Sequence, residues 1–414
     1  MTARADMLGQ LANRRIGHAL PRAFYTDPAY YQLDLESIWY KDWVFAGHDC
    51  ELPAPGAFLT LQLGDYPILL VRGRDGDIRA FHNACRHRGS RICSTGHGSV
   101  ARLKCPYHQW TYELDGRLHY ARDMADGFDK SAYGLKPVHC QSAGGYLFVC
   151  VAQDAPDFAP YRAVAETYLG PHRLAETKVA FESTIIEQAN WKLVWENNRE
   201  CYHCSGSHPE LCVTFPERPT LAVTGGDMVD PDDMAAWARW EAQGLPSRYC
   251  IAEDGNFRLV RLRLLEGMVS YTMSGQPAVR RPLSDSVTGA DIGALLMFHF
   301  PTTWNHVLGD HALSFRVLPL GPTQTQVTTK WLVHKDAVEG VDYDLANLTH
   351  VWLQTNEQDR RIVQENQIGV SSPAYEPGPY SALHESALVQ FQEWYAGAVQ
   401  RGLGGPARAL SRVA

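Results

Sequence analysis

Two short segments that combine cysteine and histidine constrain this chain more than any other feature. Cys85-x-His87 is followed by seventeen residues and then by Cys105-x2-His108. Two cysteine–histidine pairs on separate loops can grip a metal centre from two sides. Two thiolates on one iron and two neutral imidazoles on the other are the ligands of one type of [2Fe–2S] cluster. The same four residues would also satisfy a tetrahedral zinc ion, which stays an alternative at this point.

The residues around these ligands are typical of tight loops at the tip of a β domain. Gly89, Gly96 and Gly98 permit sharp turns, and Pro106 stiffens the second loop. Short β-rich runs such as FLTLQL and YPILLVRG alternate with glycine and aspartate turns over residues 46–155. We therefore expect this range to form a compact antiparallel β domain.

The rest of the chain has a mixed pattern that predicts an α+β fold. Residues 8–45 show apolar residues at helical spacing, and the tail after residue 398 is rich in glycine, alanine and arginine and is expected to fray. The predicted strands are 181–187, 294–300, 312–319 and 325–334, and the predicted helices are 190–206 and 342–368.

A second candidate metal site lies in the segment NWKLVWENNRECYHCSGSHPE. His203 and His208 are five residues apart, so an unbroken helix would point them about 140° away from each other. Gly206 and Pro209 indicate that the helix ends between or just after them, and a bend there could bring both imidazoles onto one ion. Two histidines and one carboxylate form the facial triad that leaves positions open on a non-haem Fe(II) ion.

The long C-terminal helix offers the carboxylate. One stripe of this helix joins Leu348, Trp352, Thr355, Asp359 and Ile362. Four of these five residues can face a core, and Asp359 lies among them, whereas Glu357 falls on the opposite face and Glu365 about 100° away. Periodicity therefore favours Asp359 as the inward carboxylate, although an inward aspartate can also simply pair with a core arginine or histidine.

The cysteines leave a further alternative open. Ten cysteines are scattered along the chain, a pattern that favours free thiols or metal ligands over a disulfide framework. Cys201-x2-Cys204, together with His203 and His208, matches a zinc knuckle locally. The presence of the first motif about a hundred residues upstream weighs against that interpretation.

Both segments resemble the motifs of the Rieske non-haem iron oxygenase family. FHNACRHRGS and CPYHQWTYELDGRL resemble its cluster motif, with Ser90 and Tyr107 where respiratory Rieske proteins carry two further cysteines. An acidic residue followed by x-Tyr-His-x4-His is the family's mononuclear iron motif. The resemblance makes Glu200 the acid and Tyr202 the tyrosine, and it makes His203, His208 and Asp359 the iron ligands. Most members that act on aromatic rings have aspartate at the position of Glu200.

The resemblance implies a fold and a division of the chain. It implies an N-terminal helical segment (1–45) packing on the catalytic domain, a Rieske [2Fe–2S] domain (46–155) and a catalytic mononuclear iron domain (156–414). The fold class is α+β, with an antiparallel sheet covered by helices in the larger domain, as in the helix-grip type.

The resemblance also implies cofactors and partners. A [2Fe–2S] cluster would supply one electron, and an Fe(II) ion with open positions would activate O₂. The chain has no nucleotide-binding motif, so a separate NAD(P)H-dependent reductase is expected. The family forms head-to-tail homotrimers, in which Glu200 would bridge a histidine of the mononuclear site to a Rieske histidine of the neighbouring subunit, His108 by resemblance.

Nearly the whole chain resembles the quaternary-ammonium branch of the family, and Glu200 fits that branch. STIIEQANWKLVWENNRECYHC and LLMFHFPTTWNH are most similar to enzymes that demethylate proline betaine (stachydrine), while the branch also includes glycine betaine monooxygenases. This implies N-methyl hydroxylation with release of formaldehyde. Aromatic faces suit a quaternary ammonium. The catalytic half contains Phe298 and Phe300 as well as the candidate substrate-binding residues Trp195, Tyr271 and Trp304.

Other functions are weighed against this one. A net charge of −8 disfavours nucleic-acid binding. No apolar run spans a membrane and the first residues lack a signal-peptide core, so we expect a cytoplasmic protein with no membrane partner. The alternatives are an oxygenase of aromatic rings, a demethylase of glycine betaine or a carnitine-like substrate, an electron carrier with an inert second domain, and a zinc-stabilised binding module.

Overall fold

The computed structural model describes residues 2–217, 230–285 and 291–404. The chain divides into two compact units. The smaller unit is Trp39–Ala159, and the larger one combines Met1–Ile38 with Pro160–Ala414. The predicted β domain, 46–155, lies inside the smaller unit.

The smaller unit is built from antiparallel strands. They are β1 Val44–His48, β2 Ala57–Leu63, β3 Tyr66–Arg72, β4 Ile78–His82, β5 His97–Ser99, β6 Leu103–Lys104, β7 Thr111–Tyr112, β8 Leu118–Tyr120, β9 Pro137–Ala143 and β10 Tyr146–Cys150. Over the described residues they form a seven-stranded sheet, ordered β1-β10-β9-β4-β3-β2-β5, and a three-stranded sheet, β6-β7-β8. The two cysteine–histidine segments are the loops that follow β4 and β6.

The turn between β2 and β3 shows why the local sequence folds in this way. Leu63 pairs with Tyr66, which leaves Gly64 and Asp65 as a two-residue hairpin loop. Gly64 has a φ of +52°, and the hydroxyl of Tyr40 lies where a Cβ would be, 1.9 Å from it. Glycine at the first loop position is the residue that a type II′ hairpin requires.

The larger unit is a second antiparallel sheet with helices. Its strands are β11 Thr177–Glu187, β12 Cys250–Ile251, β13 Phe257–Leu262, β14 Ala294–His299, β15 Thr303–Val307, β16 Ala312–Gly321 and β17 Gln324–His334. Among the described residues, these seven strands are ordered β11-β17-β16-β15-β14-β13-β12. The predicted α+β class, with an antiparallel sheet in each of two domains and helices in the larger one, is confirmed.

The described chain also contains α-helices. They are α1 Ala3–Ala12, α2 Ala23–Thr26, α3 Pro28–Asp34, α4 Ala159–Leu169, α5 Trp191–Asn198, α6 Cys204–Ser207, α7 Pro231–Glu241, α8 Leu345–Ser371 and α9 Ser386–Gly402. A π-helix, Leu35–Trp39, continues α3. No helix in the described ranges is long and apolar enough to cross a membrane.

Three predicted elements differ from the structure. The range 8–45 is several short helices rather than one, because the chain is non-helical over 13–22. The helix predicted for 190–206 ends at Asn198. The tail expected to fray after 398 stays helical to Gly402, since Val399 and Leu403 are buried, and residues 405–414 lie outside the described residues.

A buried charge pair connects the N-terminal helices to α5, the helix that precedes His203 and His208. Asp34 forms an ion pair with Lys192, and both side chains are fully buried. Asp34 also accepts hydrogen bonds from the Trp191 indole (3.1 Å) and the Tyr395 hydroxyl (2.7 Å). Removal of either member of such a pair destabilises the fold strongly, because the remaining buried charge would be left uncompensated. The N-terminal segment thereby fixes α5.

Helix α8 presents the stripe that periodicity predicted. Leu348, Trp352 and Thr355 are buried, whereas Glu357 is exposed as expected. Asp359 is 23% exposed at the side chain. The carboxylate therefore lies at the edge of the core, where an opening reaches it.

Candidate metal centres

The two loops of the smaller unit have the same backbone design. In the first, the Gly89 amide donates to the Cys85 carbonyl and the Cys85 amide donates to the Ser90 carbonyl; in the second, the same bonds join Gln109 and Trp110 to Cys105. The residue four positions after each cysteine has a positive φ, +76° at Gly89 and +63° at Gln109. Both turns thus hold a buried cysteine at the same place in a reversing backbone.

The four predicted cluster ligands come together from these loops. Cys85 and Cys105 are buried, whereas His87 is exposed and the His108 ring is 4.6 Å from it between centroids. The Nδ1 atom of His108 is buried and has no hydrogen-bond partner among the described residues. A buried ring nitrogen without a partner is costly unless something else binds it. Two inner sulfurs and two outer imidazoles fit a [2Fe–2S] cluster with mixed ligands.

Tyr112 completes this site from β7. Its hydroxyl lies 3.2 Å from the Cys85 sulfur and accepts a hydrogen bond of 3.0 Å from the Arg86 amide. Burial raises the pKa of the Cys85 thiol, and the Tyr112 hydroxyl acts against that rise. The hydroxyl therefore stabilises negative charge on this sulfur.

Tyr112→Phe is expected to lower the reduction potential of the cluster by about 20–60 mV, the equivalent of one net hydrogen bond in a one-electron couple. The reduced cluster is more negative, so it gains more from the hydroxyl than the oxidised cluster does. A redox titration followed by visible absorption checks the value. Tyr133→Phe is the control, because the Tyr133 ring packs against those of Trp110 and Phe128 and its hydroxyl has no hydrogen bond to a described residue. Equal potentials for Tyr112→Phe and wild type would contradict the hydroxyl–sulfur contact.

The second site gathers three side chains from distant parts of the larger unit. His203 Nε2 and His208 Nε2 are 3.1 Å apart, and Asp359 Oδ1 lies 3.4 Å from the first and 3.0 Å from the second. Two ligands at right angles, each about 2.1 Å from a metal, would be about 3.0 Å apart. The three atoms therefore lie almost as one face of an octahedron.

The outer nitrogens of both histidines are held by other residues. Glu200 Oε1 lies 2.5 Å from His203 Nδ1, and Gln358 Oε1 lies 2.9 Å from His208 Nδ1. Gln358 is oriented by its own amide, which donates to Glu210 at 2.7 Å. Because both acceptors require a hydrogen on Nδ1, the Nε2 atom of each ring is the one that can bind a metal ion together with Asp359.

The electrostatics of the site favour positive charge. Burial lowers the pKa of His203, but hydrogen bonds to Asp359 and Glu200 outweigh it and raise the pKa to about 10. Although burial opposes ionisation of Asp359, the two histidines lower the pKa of its carboxyl. In the absence of a metal, a proton on the histidine supplies the positive charge that the carboxylates attract. This donor set fits a divalent iron.

The chain reaches this geometry through a bend, as expected from the sequence, but the helix ends before Glu200 and not after His203. Helix α5 is capped at Asn190 and ends at Asn198, and the short α6 begins only after His203. Glu200 and His203 therefore do not share a helix, although their side chains still meet. The separation of five residues becomes compatible with one ion because the backbone turns between them.

Cys201 and Cys204 form a disulfide that spans His203. The expectation of free thiols or metal ligands is wrong for this pair. Cys204 lies close enough to His203 and His208 to be grouped with them, but its sulfur is bonded to Cys201. This excludes the zinc knuckle formed by all four residues.

A cavity of about 100 Å³ opens onto the three ligands. Aromatic side chains from four elements or loops line it, namely Phe215, Phe298, Trp304 and Trp352. Trp195 lies behind this wall, where its indole donates to the Pro301 carbonyl at 2.5 Å. Tyr271 is also outside the lining and bonds through its hydroxyl to His306, which does line the cavity. Of the three proposed substrate residues, Trp304 alone reaches the cavity.

Sequence reasoning missed several residues that shape the site. Gln358 and Glu210 orient His208, and the Asn197 amide lies 3.3 Å from His203 Nε2. Gln358 directly precedes Asp359, a predicted ligand, on α8. That position was the one signal in the sequence that could have identified Gln358. Nothing in the spacing of Asn197 pointed to the metal.

Two family models match the chain over the regions just described. Residues 42–136 match the Rieske [2Fe-2S] domain, and residues 172–401 match the catalytic domain of the ring-hydroxylating alpha subunit. The chain belongs to the Rieske non-haem iron oxygenase alpha subunits, the class that the two donor sets define. It is the oxygenase component of a Rieske non-haem iron monooxygenase, and its cofactors are a [2Fe–2S] cluster and a mononuclear iron.

Among individual proteins, the chain is similar to Rieske oxygenases that act on quaternary ammonium compounds. The chain is 50% identical to the glycine betaine monooxygenase oxygenase subunit of Chromohalobacter salexigens over 403 residues, covering 95% of this chain and 88% of the relative. It is 47% identical to the protein of the same description from Pseudomonas aeruginosa strain UCBPP-PA14, covering 100% and 95%. The fold matches the quaternary ammonium Rieske monooxygenase CntA in complex with L-carnitine, with a TM-score of 0.70, 22% identity and coverage of 95% and 99%.

Proposed function

We propose that this chain hydroxylates an N-methyl group of a small betaine and so removes that methyl group as formaldehyde. The observation that carries the proposal is the cavity itself, because one small space presents both the three iron ligands and an aromatic wall. Aromatic faces attract a quaternary ammonium, which has no N–H to hydrogen-bond. The full-length similarity to glycine betaine monooxygenase subunits supports the same substrate class.

The reaction balances with two external electrons. A quaternary N–CH₃ group, O₂, two electrons and two protons give N–CH₂OH and water. The hydroxymethyl ammonium then breaks its C–N bond, which leaves the electron pair on nitrogen and releases formaldehyde and a proton. Proline betaine would give N-methylproline, and glycine betaine would give dimethylglycine.

The residues of this chain divide the work. When bound, the mononuclear iron supplies oxygen activation and the cluster supplies an electron. His203, His208 and Asp359 hold the iron, while Glu200 and Gln358 fix the two imidazoles. The aromatic wall places the methyl group and excludes water from the cavity.

The proposal includes partners. Glu200 is 13% exposed at its side chain while it holds His203, so a second group can reach it from outside. We propose that this group is a Rieske histidine of a neighbouring subunit in a homotrimer, His108 by resemblance, and that a separate NAD(P)H-dependent reductase refills the cluster. The ring contact would be heterologous, as a head-to-tail trimer requires.

A single turnover tests the substrate class without the natural reductase. Chemically reduced protein is mixed with O₂ and with proline betaine, glycine betaine or L-carnitine in turn, and formaldehyde is assayed. We expect nearly one formaldehyde per active site for one of the first two. Protein carrying Asp359→Ala, which lacks the third iron ligand, is the control and should release none. Absence of formaldehyde with every betaine, from protein that contains both metals, would contradict N-demethylation.

A further inference from the structure

Arg199 places a buried positive charge in the wall of the cavity. It follows α5 directly and precedes Glu200, so the chain holds it beside the mononuclear site. Only 7% of the residue is exposed. Its guanidinium lies over the Phe298 ring, 4.3 Å from the centroid, and 5.8 Å from that of Phe300.

This guanidinium has no ion pair with a described residue. Its Nε and Nη2 atoms are buried and lack hydrogen-bond partners within 2–217, 230–285 and 291–404. The two carboxylates that line the same cavity are engaged elsewhere, since Glu200 binds His203 and Asp359 faces both histidines. Burial, and then the nearby Arg258, lower the pKa of Arg199. An arginine nevertheless keeps its proton in a protein, so the charge persists without compensation.

Such an arrangement is costly unless a ligand supplies the negative charge. An unpaired buried charge opposes folding, because the lost hydration is not replaced. The guanidinium carbon lies over the Phe298 ring, and neither Nε nor Nη2 donates a hydrogen bond to a described residue. Paired N–H groups at the edge of a guanidinium match the two oxygens of a carboxylate.

We propose that Arg199 binds the carboxylate of the zwitterionic substrate. The inference rests on the proposed betaine function and specifies which end of the molecule lies where. The carboxylate meets Arg199 at one wall, and the quaternary ammonium packs against the aromatic side of the cavity near Trp304. An N-methyl group then faces His203, His208 and Asp359. Arg258, which lines the same cavity, adds positive potential on the carboxylate side.

This arrangement selects against cations that lack a carboxylate. Choline has the same trimethylammonium group as glycine betaine but ends in a neutral hydroxyl. It would leave Arg199 uncompensated, and two cations would share one small cavity. The wild-type protein is therefore expected to bind glycine betaine far more tightly than choline.

The test is direct binding to the metal-loaded protein, measured by calorimetry with glycine betaine, proline betaine and choline. Arg199→Gln should weaken both betaines about 10–100-fold, as loss of a charge-assisted hydrogen-bonded pair does, and should not weaken choline. Arg199→Lys, which keeps the charge but not the fork, should fall between. Arg248→Gln is the control, because Arg248 is exposed and pairs with Glu241. Dissociation constants within twofold of wild type for Arg199→Gln would overturn the inference.

Thermal stability gives a second readout. If Arg199 has no partner until a ligand binds, Arg199→Gln should unfold at a temperature equal to or above that of the ligand-free wild type. Added glycine betaine should then no longer raise the unfolding temperature of the variant. A lower unfolding temperature for the ligand-free variant, with the ligand-induced rise retained, would show a structural partner and contradict the proposal. Formaldehyde release by the wild type decides the reaction separately. If Arg199→Gln loses betaine binding but the wild type releases no formaldehyde, the carboxylate site is supported and the demethylation is contradicted.

Discussion

Replacing His203 by alanine removes the mononuclear iron and leaves the [2Fe–2S] cluster in place. The change takes one of three converging ligand atoms from the site, while the cluster ligands belong to the other unit of the chain. Iron per chain should fall by one, the visible spectrum of the cluster should persist, and formaldehyde release should fall to background. Metal analysis and absorption on the same sample check all of this.

His350→Ala is the matched control for that variant. His350 is exposed on α8, the helix that carries Asp359, and exposed substitutions of this kind usually change stability by less than about 0.5 kcal/mol. It should keep its full iron content and its activity. If His203→Ala also loses the visible spectrum, the two metal centres have been placed on the wrong residues.

Glu200→Gln should keep both metal centres and slow turnover by about 10–100-fold, the range seen when an outer partner of a metal ligand is changed. Glutamine can still accept the Tyr202 amide bond that Glu200 accepts, but it brings no negative charge to the His203 ring. Reoxidation of the reduced cluster after addition of O₂ and betaine, followed by stopped-flow absorption, reports the step directly.

Glu357→Gln separates a specific effect of Glu200 from a general loss of charge. Glu357 is exposed on α8 and pairs with Arg360, so its removal should leave cluster reoxidation unchanged. If Glu200→Gln also reoxidises at the wild-type rate, the proposed bridge to a neighbouring subunit does not operate. Iron loss in Glu200→Gln would instead show that the carboxylate mainly positions His203.

The sequence predicted most about the parts of the sites that local spacing controls. The four cluster ligands lie on two short loops, so their chemistry can be read within 24 consecutive residues, from Cys85 to His108. Asp359 is 150 residues or more from both histidines, yet it could be named because α8 is long and strongly periodic, with Leu348 and Trp352 fixing its inward face.

Other features depended on tertiary contacts that spacing does not encode. The break after Asn198 was expected later, because Gly206 and Pro209 were the residues that marked a helix end in the sequence. Trp195 was a reasonable aromatic candidate, but it lies behind the cavity wall, where its indole N–H donates to the Pro301 carbonyl. Composition gave no means of telling an aromatic residue in the wall from one behind it.

The residue for the substrate carboxylate illustrates the same limit. Arginine and lysine are the residues that suit a carboxylate, but the chain has 38 of them, and the sequence offers no measure of which is buried without a counter-ion. The structure singles out Arg199 by its burial, its contact with Phe298 and its lack of a described anionic partner. Selection of that arginine required the packing and the cavity together.

The most direct test of the account is the metal and sulfide content of the purified wild-type protein. A [2Fe–2S] cluster and one mononuclear ion predict about three irons and two acid-labile sulfides per chain. Two irons and two sulfides, in protein that takes up no further iron, would describe an electron carrier without an oxygen-activating site. A colourless protein that binds only zinc would contradict both metal assignments.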